Sequence, residues 1–482
     1  MRLILICLFL NSSIFCFSQK VELEIDLQSC IKFAFESSLN SIIADNTYES
    51  SYWEYRSYKV GKLPSFNLNS GTQYNHSYTE RYDFESNIDL FRSMQSFSSN
   101  ASLSVKQSIG ATGGSLDFSS NLNYLLNNGE NRYTQFSGSI LRLSYSQSLF
   151  AMNNAKWQKK TEPMKFKKAQ KDYLYTREGI SEIAVQYFFD LILAQTEVEM
   201  AIENMLSIDT LYNIGIERER ISTIASADVS TLKMDLLNAI NQIETAKLEL
   251  KHKNFQFNLF LNIPKETTIK AILPVLLPDL NINIDEAIDI AWKYNSAYLN
   301  SELSIIEAEK NIESIRRSLF SASMSASLGL NQAADNIAGV YKNPSQQEAI
   351  SINMSIPLYD WGMRGGRLKM AENRLEAAKL TEEQSIISME FEIISTIEKF
   401  NTQLSILKRN KEAIQFALDA YKNLKDRFVI GKSDANSVHI ASRRLMEANS
   451  LYIRSIEEYW LLYYKIRKLT LFDFENNQPL AL

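Results

Sequence analysis

The chain is written twice, and this constrains its fold more than any other feature. Sliding Leu143 to about Leu261 forward by 209 positions lays it without a gap on Ile352 to Thr470. Ser146 meets Ser355, Tyr212 meets Tyr421, Arg218 meets Arg427, Ile221 meets Ile430 and Val229 meets Val438. Apolar character persists between the identities, as in Leu143/Ile352, Phe188/Ile397 and Leu191/Phe400. A second match, Leu27 to about Asn69 on Ile284 to about Ala326, needs a shift of 257, with Ile31/Ile288 and Ala34/Ala291 in register. The difference between 257 and 209 leaves about 48 extra residues in the first copy. A unit of helix, strands, long helix and shorter helix, repeated in tandem, points to a pseudo-symmetric assembly rather than to a pocket enzyme.

The N-terminus, Met1-Arg2 followed by an apolar run from Leu3 to Phe17 and then Ser18-Gln19, reads as a secretory signal over residues 1–19, with cleavage near Gln19/Lys20. Ser13 and Phe15 are poor residues before a lipidated cysteine, which argues against Cys16 as a lipid anchor. With the leader removed Cys30 stands alone, so the mature chain has no internal disulfide. No later segment reaches the roughly 18 apolar residues of a membrane-spanning helix. An exported chain of this kind is either soluble or inserted as a β-barrel. The net charge of −5 gives no reason to expect a nucleic acid.

Two textures alternate along the chain. From Ser65 to Tyr78, Phe66, Leu68, Tyr74 and Tyr78 hold even positions while Asn67, Asn69, Gln73 and Asn75 hold odd ones, the period of a strand with one apolar and one wet face. The same alternation recurs around Val105, Phe118, Leu143 and Ile352. Serine, asparagine and glutamine as the polar partners suit a wall between lipid and water; half-buried strands of a soluble sandwich fit the same texture. The surplus of the first copy falls between about Thr79 and Thr134, where Gly110, Gly113, Gly114 and Asn127-Asn128-Gly129 predict at least one additional hairpin.

The other texture is helical. Ile393, Ile397, Phe400, Leu404, Leu407, Ile414, Leu418, Tyr421 and Phe428 form a heptad seam within a proline-free stretch from Trp361. Its copy from about Asn154 to Arg220 has a weaker seam, with Gln195 and Asp209 polar. Helices of roughly 65 to 70 residues reach about 100 Å. Shorter helices are expected over Leu27 to Lys62, Ala227 to Leu261, Ile284 to Leu319 and Ser437 to Leu471. The domain plan is a first repeat over 20–263 with a β region at about 64–150, a linker over 264–283, a second repeat over 284–472 with a β region at about 320–359, and a tail over 473–482.

The residues supply no chemistry. His76, His252 and His439 are scattered, whereas a metal site wants two or more ligands at close spacing. Gly113-Gly114 and Gly365-Gly366 fit no phosphate loop, and no nucleophile is paired with a base. No catalytic, cofactor or metal site is expected. The turns between long and short helices are better candidates: Ile221 to Asp228, with Ser222, Ser226 and Asp228, and Ile430 to Asn436, with Gly431, Lys432, Ser433, Asp434 and Asn436. Gly431 permits the positive φ that ends a helix, and Ser437 is expected to cap the next one.

These segments resemble the outer-membrane efflux protein family, the TolC-like channels. The resemblance rests on the strand exit Ser355-Ile356-Pro357-Leu358-Tyr359-Asp360-Trp361-Gly362, the helix openers Gln28-Ser29-Cys30-Ile31 and Asp285-Glu286-Ala287-Ile288, and the junction Lys62-Leu63-Pro64-Ser65-Phe66. Arg427-Phe428-Val429-Ile430-Gly431 and Leu259-Phe260-Leu261-Asn262-Ile263-Pro264 add to it. It departs at Ser148 to Asn153, which lacks the usual proline and Asp-Gly, and at Asn295-Ser296, where the family often has Asn-Pro. The resemblance implies a mixed α and β membrane protein. It implies a homotrimer whose chains each give four strands to a shared twelve-stranded barrel in outer-membrane lipid, above a periplasmic barrel of long antiparallel coiled-coil helices. It implies a passive export duct joined by a periplasmic adaptor, or membrane fusion protein, to an inner-membrane pump of the resistance-nodulation-division or ABC type. The two turns would be its adaptor-docking tips and gate, and the surplus hairpin would lie on the outer-surface side, extending strands or lengthening a loop. A periplasmic coiled-coil scaffold and a surface-exposed binding protein are the alternatives.

Overall fold

The computed structural model describes residues 22–83, 88–128, 132–274, 278–318 and 321–481; the leader expected over 1–19 lies outside them. In chain order the elements of the first repeat are β1 (Glu22–Ile25), α1 (Leu27–Ser37), α2 (Leu39–Val60), β2 (Ser65–Asp83), β3 (Ile88–Ile109), β4 (Gly114–Asn127), β5 (Tyr133–Ser148), α3 (Asn154–Arg220) and α4 (Ser226–Leu261). They continue with β6 (Thr268–Ala271), α5 (Ile284–Tyr294), α6 (Ser296–Arg317), β7 (Ser321–Ala334), α7 (Ile337–Val340), β8 (Ser345–Ser355), α8 (Met363–Val429), α9 (Ala435–Thr470), β9 (Phe472–Asp473) and β10 (Gln478–Pro479). The shift of 209 carries both ends of α3 onto α8 and both ends of α4 onto α9, and the shift of 257 does the same for α1 on α5 and α2 on α6. The tandem repeat is therefore structural. Each long helix has 67 residues, about 100 Å by the helical rise.

The expected single helices over 27–62 and 284–319 are each broken once, at Ser38 and at Asn295. Both residues adopt extended backbone while their N–H groups still bond the preceding turn, at Ala34 and Ala291. Asn295 also donates to the Leu469 carbonyl, so the break forms without the family's proline. The reason is local: an amide or hydroxyl side chain offers hydrogen bonds that compete with the helix.

The chain forms two compact units: one contains residues up to Asn46, Tyr173–Asn295 and Glu390 onward, the other Thr47–Asp172 and Ser296–Met389. In the first, α1, α5, α9 and segments of α3, α4 and α8 bury Phe188, Phe189, Leu191, Phe257, Ile397, Phe400 and Tyr459 completely. The heptad residues Ile393, Ile397, Phe400, Leu407 and Phe428 are all buried. Gln195, the polar break in the first seam, has a structural reason. The span expected to be only a linker contains β6, which pairs in parallel with β1. The Gln195 amide bonds the open edge of β6, donating to the Ile269 carbonyl (2.8 Å) and accepting from Ala271 N (3.2 Å). The expected tail has structure of its own in its described residues: β9 and β10 pair, and Arg467 holds Asp473 at 2.8 Å and Glu178 at 3.0 Å.

The second unit is built on one six-stranded antiparallel sheet in the order β2-β3-β4-β5-β7-β8. This corrects the expected four strands per chain. The surplus takes the form of the expected additional hairpin. β3 and β4 neither extend other strands nor lengthen a loop; they are two further strands set between β2 and β5. The physical reason is their own alternation, which matches both neighbours in register. On one face Phe66, Leu68 and Tyr74 of β2 stand beside Val105, Leu103 and Phe97 of β3, then Phe118 and Leu126 of β4. Leu143 of β5, Leu328 of β7, and Ile350 and Ile352 of β8 continue that face. On the other face run Asn67, Asn69, Ser102, Ser104, Ser119, Ser144, Ser327 and Ser351. The apolar face is not covered: Phe66, Leu68, Tyr74, Ile350, Ile352 and Met354 are all exposed.

Candidate functional site

Both turns lie in the helical unit, each ending a 67-residue helix. The ends of the two repeats are packed side by side. Leu211, Leu232, Phe428 and Val438 form a buried cluster, with Tyr212, Tyr421 and Leu424 against it. Arg218 near the end of α3 crosses to the end of α8, where Nη1 donates to the Phe428 carbonyl (3.1 Å) and the guanidinium lies 5.4 Å from the Phe428 ring centre. Deeper in, Tyr421 bonds the Ser207 hydroxyl and Ser442 donates to Asn204 Oδ1 (2.8 Å).

The two helix ends stop by the same device. Ser222 (φ 59°) and Gly431 (φ 80°), 209 positions apart, both sit in the left-handed region. In the first turn Ser222 N bonds the Glu219 carbonyl and Thr223 N the Arg218 carbonyl, both at 2.8 Å. In the second, Gly431 N bonds the Phe428 carbonyl (3.0 Å) and Lys432 N the Arg427 carbonyl (2.8 Å). This paired pattern satisfies helix-end carbonyls that would otherwise be orphaned.

The following helices start differently. Asp434, rather than Ser437, caps α9: Oδ1 accepts from Ser437 N (2.8 Å) and Oδ2 from the Ser437 hydroxyl (2.7 Å). Those bonds hold its carboxyl below the usual range. A carboxylate accepts two donors at once, so the shorter serine is left in the first turn. In the first repeat Ala225 precedes α4 and cannot cap, but Asp228 Oδ2 accepts from Ala225 N at 3.3 Å. Ser222, Ser226, Asp228, Gly431, Lys432, Asp434 and Asn436 are exposed and Ser433 half-buried. The site thus presents acceptors and one lysine on a rim held by apolar packing, with Cβ space at Gly431 already taken by Arg218, whose Nη2 would lie 2.6 Å from an added Cβ.

Sequence reasoning missed Arg218 and Phe428 as the link between the turns. The pairing of Arg218 with Arg427 across the repeat was the available signal, but only contact distinguishes the two arginines. Among the described residues no group of three or more His, Cys, Asp or Glu could hold a metal ion. No described helix is long and apolar enough to cross a membrane.

Comparison with known proteins shows one partial family match and several likenesses of fold. Residues 293–455 match the family model for outer membrane efflux protein. No curated protein matches the sequence. The fold is similar to the Campylobacter jejuni CmeC outer membrane channel (TM-score 0.67, 14% identity, 95% of this chain and 87% of that one). It is similar also to the Vibrio cholerae outer membrane protein VceC (0.65, 12%, 92% and 95%). The open-state MtrE outer membrane channel of Neisseria gonorrhoeae matches as well (0.59, 13%, 92% and 88%). Residues 293–455 thus carry the sequence pattern of the outer membrane efflux proteins, and nearly the whole chain has the fold of these outer membrane channels.

Proposed function

We propose that this protein is the outer-membrane channel of a tripartite efflux or type I secretion system. In this reading it is a homotrimer and a passive duct, without catalysis of its own. The observation that carries the reading is the two-faced sheet with free edges. An apolar face of Phe66, Leu68, Tyr74, Ile350, Ile352 and Met354 left in water would cost about 25 cal/mol for each Å². Lipid removes that cost. Lipid, however, tolerates no open sheet edge, because unpaired N–H and C=O groups there find no water. β2 and β8 are both edges. Six strands are fewer than the eight or so of the smallest barrels, so the edges must pair with other copies of the chain.

The exposed Leu358, Tyr359 and Trp361 at the strand exit suit the aromatic girdle at a membrane–water boundary. The turns at 222–228 and 431–436 then serve as the periplasmic tips, where a periplasmic adaptor docks and the bore closes. An inner-membrane pump of the resistance-nodulation-division or ABC type supplies the energy. A periplasmic scaffold would leave the apolar face of the sheet solvated. Fractionation tests the proposal: the protein should resist carbonate extraction, co-sediment with the outer membrane and run as a heat-modifiable oligomer. Release by carbonate as a soluble species would refute it.

A further inference from the structure

The inserted strands change the calibre of the wall. We propose that β3 and β4 are part of the membrane wall itself, so that three chains close a barrel of eighteen strands rather than twelve. The cargo is then a bulkier polar solute selected by size and hydrogen bonding more than by charge. This rests on the channel reading above.

Four observations carry it. First, β3 (22 residues) and β4 (14 residues) each exceed the roughly 9 to 11 residues that a tilted strand needs to cross a bilayer. Second, they pair along the whole of β2 and of β4, and β4 pairs on to β5, so the hairpin lies inside the sheet and not against it. The fit at that seam is close: a Cβ on Gly138 of β5 would fall 2.4 Å from the Asn121 carbonyl of β4. Third, both strands keep the two-faced pattern, with Leu103 and Tyr124 on the apolar side and Ser102 and Asn123 on the polar side.

Fourth, the hairpin's turn is anchored where the helices leave the sheet. Gly113 (φ 78°) closes the turn, Asn153 Nδ2 donates to the Gly110 and Ala111 carbonyls (both 3.0 Å), and Gln107 donates to the Lys62 carbonyl (2.9 Å). The turn therefore stands between the end of α2 and the start of α3. A cleft of about 1200 Å³ opens there. In the second repeat, which has only two strands, the corresponding helices are tied by Arg316 and Glu372 at 3.1 Å. In the first repeat α2 and α3 meet farther from the sheet, where Tyr55 stacks on Phe166 at 4.8 Å.

Barrel diameter grows about linearly with strand number, so eighteen strands give about 1.5 times the width of twelve and roughly twice the cross-section. The polar face is nearly uncharged. Among its described side chains the charges are Lys106, Asp117 and Arg142; Lys106 and Asp117 stand opposite each other in the ladder, and Arg142 donates to Ser327. One positive charge per chain is left on a face otherwise made mostly of Ser, Asn and Gln, so hydrogen-bonding groups far outnumber charges.

The test uses single cysteines in the full chain with Cys30 changed to alanine, each checked for heat-modifiable assembly. Ser102→Cys and Asn123→Cys should react in intact cells with a membrane-impermeant maleimide, and Leu103→Cys and Tyr124→Cys should not. Equal labelling of both faces would take the hairpin out of the wall and overturn the proposal. Polymer-linked maleimides of graded size at Asn69→Cys should enter up to a radius about 1.5 times the limit of a twelve-stranded barrel; an equal limit overturns it. Cysteine pairs joining β2 to β8, Asn69 with Ser351, Asn353 or Ser355 in turn, should give a covalent ladder ending at three chains. A ladder ending at two means twelve strands and overturns it. A protein absent from the outer membrane fails the channel reading itself, whereas one present there with the wrong labelling, size limit or ladder fails this inference alone.

Discussion

Replacing Gly431 with valine is the sharpest probe of the tips. Gly431 sits at φ 80°, where an L-residue costs about 1–2 kcal/mol. An added Cβ would also stand 2.6 Å from Arg218 Nη2, so the guanidinium must move. Moving it breaks the Arg218 bond to the Phe428 carbonyl, a hydrogen bond from a charged donor worth about 1.5–3 kcal/mol when buried and less at this partly wet position. Together the expected cost is about 2–4 kcal/mol, confined to the packed ends of the two repeats. Amide hydrogen exchange on the assembled protein reads this directly. Protection around 424–438 and 214–232 should fall between about 30-fold and several hundred-fold, since about 1.4 kcal/mol is tenfold. Protection in β2 to β8 should not change, and neither should the amount of oligomer. Ser222→Gly, at the matching position of the first repeat, relieves the same backbone penalty but adds unfolded-state freedom, so its net effect should stay below about 1 kcal/mol. Unchanged exchange at both turns in Gly431→Val would refute the role given to the left-handed residue and to Arg218.

Removing the α9 cap with Asp434→Ala should cost about 0.5–2 kcal/mol locally. In the wild type, because Ser437 holds the Asp434 carboxyl below its ordinary range, the cap is intact above the ordinary carboxylate pKa and is lost as pH falls through the lowered value; exchange at Ser437 against pH checks the sign. Burial, with Asp190 adding to it, raises Glu457 to about 7, so its share of stability falls as pH rises from about 4.5 to 7. Glu457→Gln should melt higher than wild type at pH 8 and equally at pH 4. Arg467→Met strands the largely buried carboxylates of Glu178 and Asp473 and should destabilise the fold by about 3–5 kcal/mol in thermal unfolding. Leu68→Arg, on the apolar face of β2, should block membrane assembly at a cost of about 2–4 kcal/mol near mid-bilayer, while Asn69→Arg on the polar face should assemble normally.

The repeat, the long helices and the two-faced strands were all legible from residue order, because periodicity and self-similarity are one-dimensional properties. The shift of 209 alone predicts that α3 and α8 end in step, and Gly431 announces its own turn. Three matters were decided only in three dimensions. Whether the surplus hairpin widens the sheet or hangs from it depends on which strands offer it free hydrogen bonds, and no local pattern records a partner. Gln195 reads as a flaw in a heptad until β6 is seen to need its amide. Arg218 and Arg427 are equivalent by sequence, yet only Arg218 reaches across to Phe428. In each case the deciding energy is a hydrogen bond between groups far apart in the chain, and its geometry exists only after the helices and strands have packed.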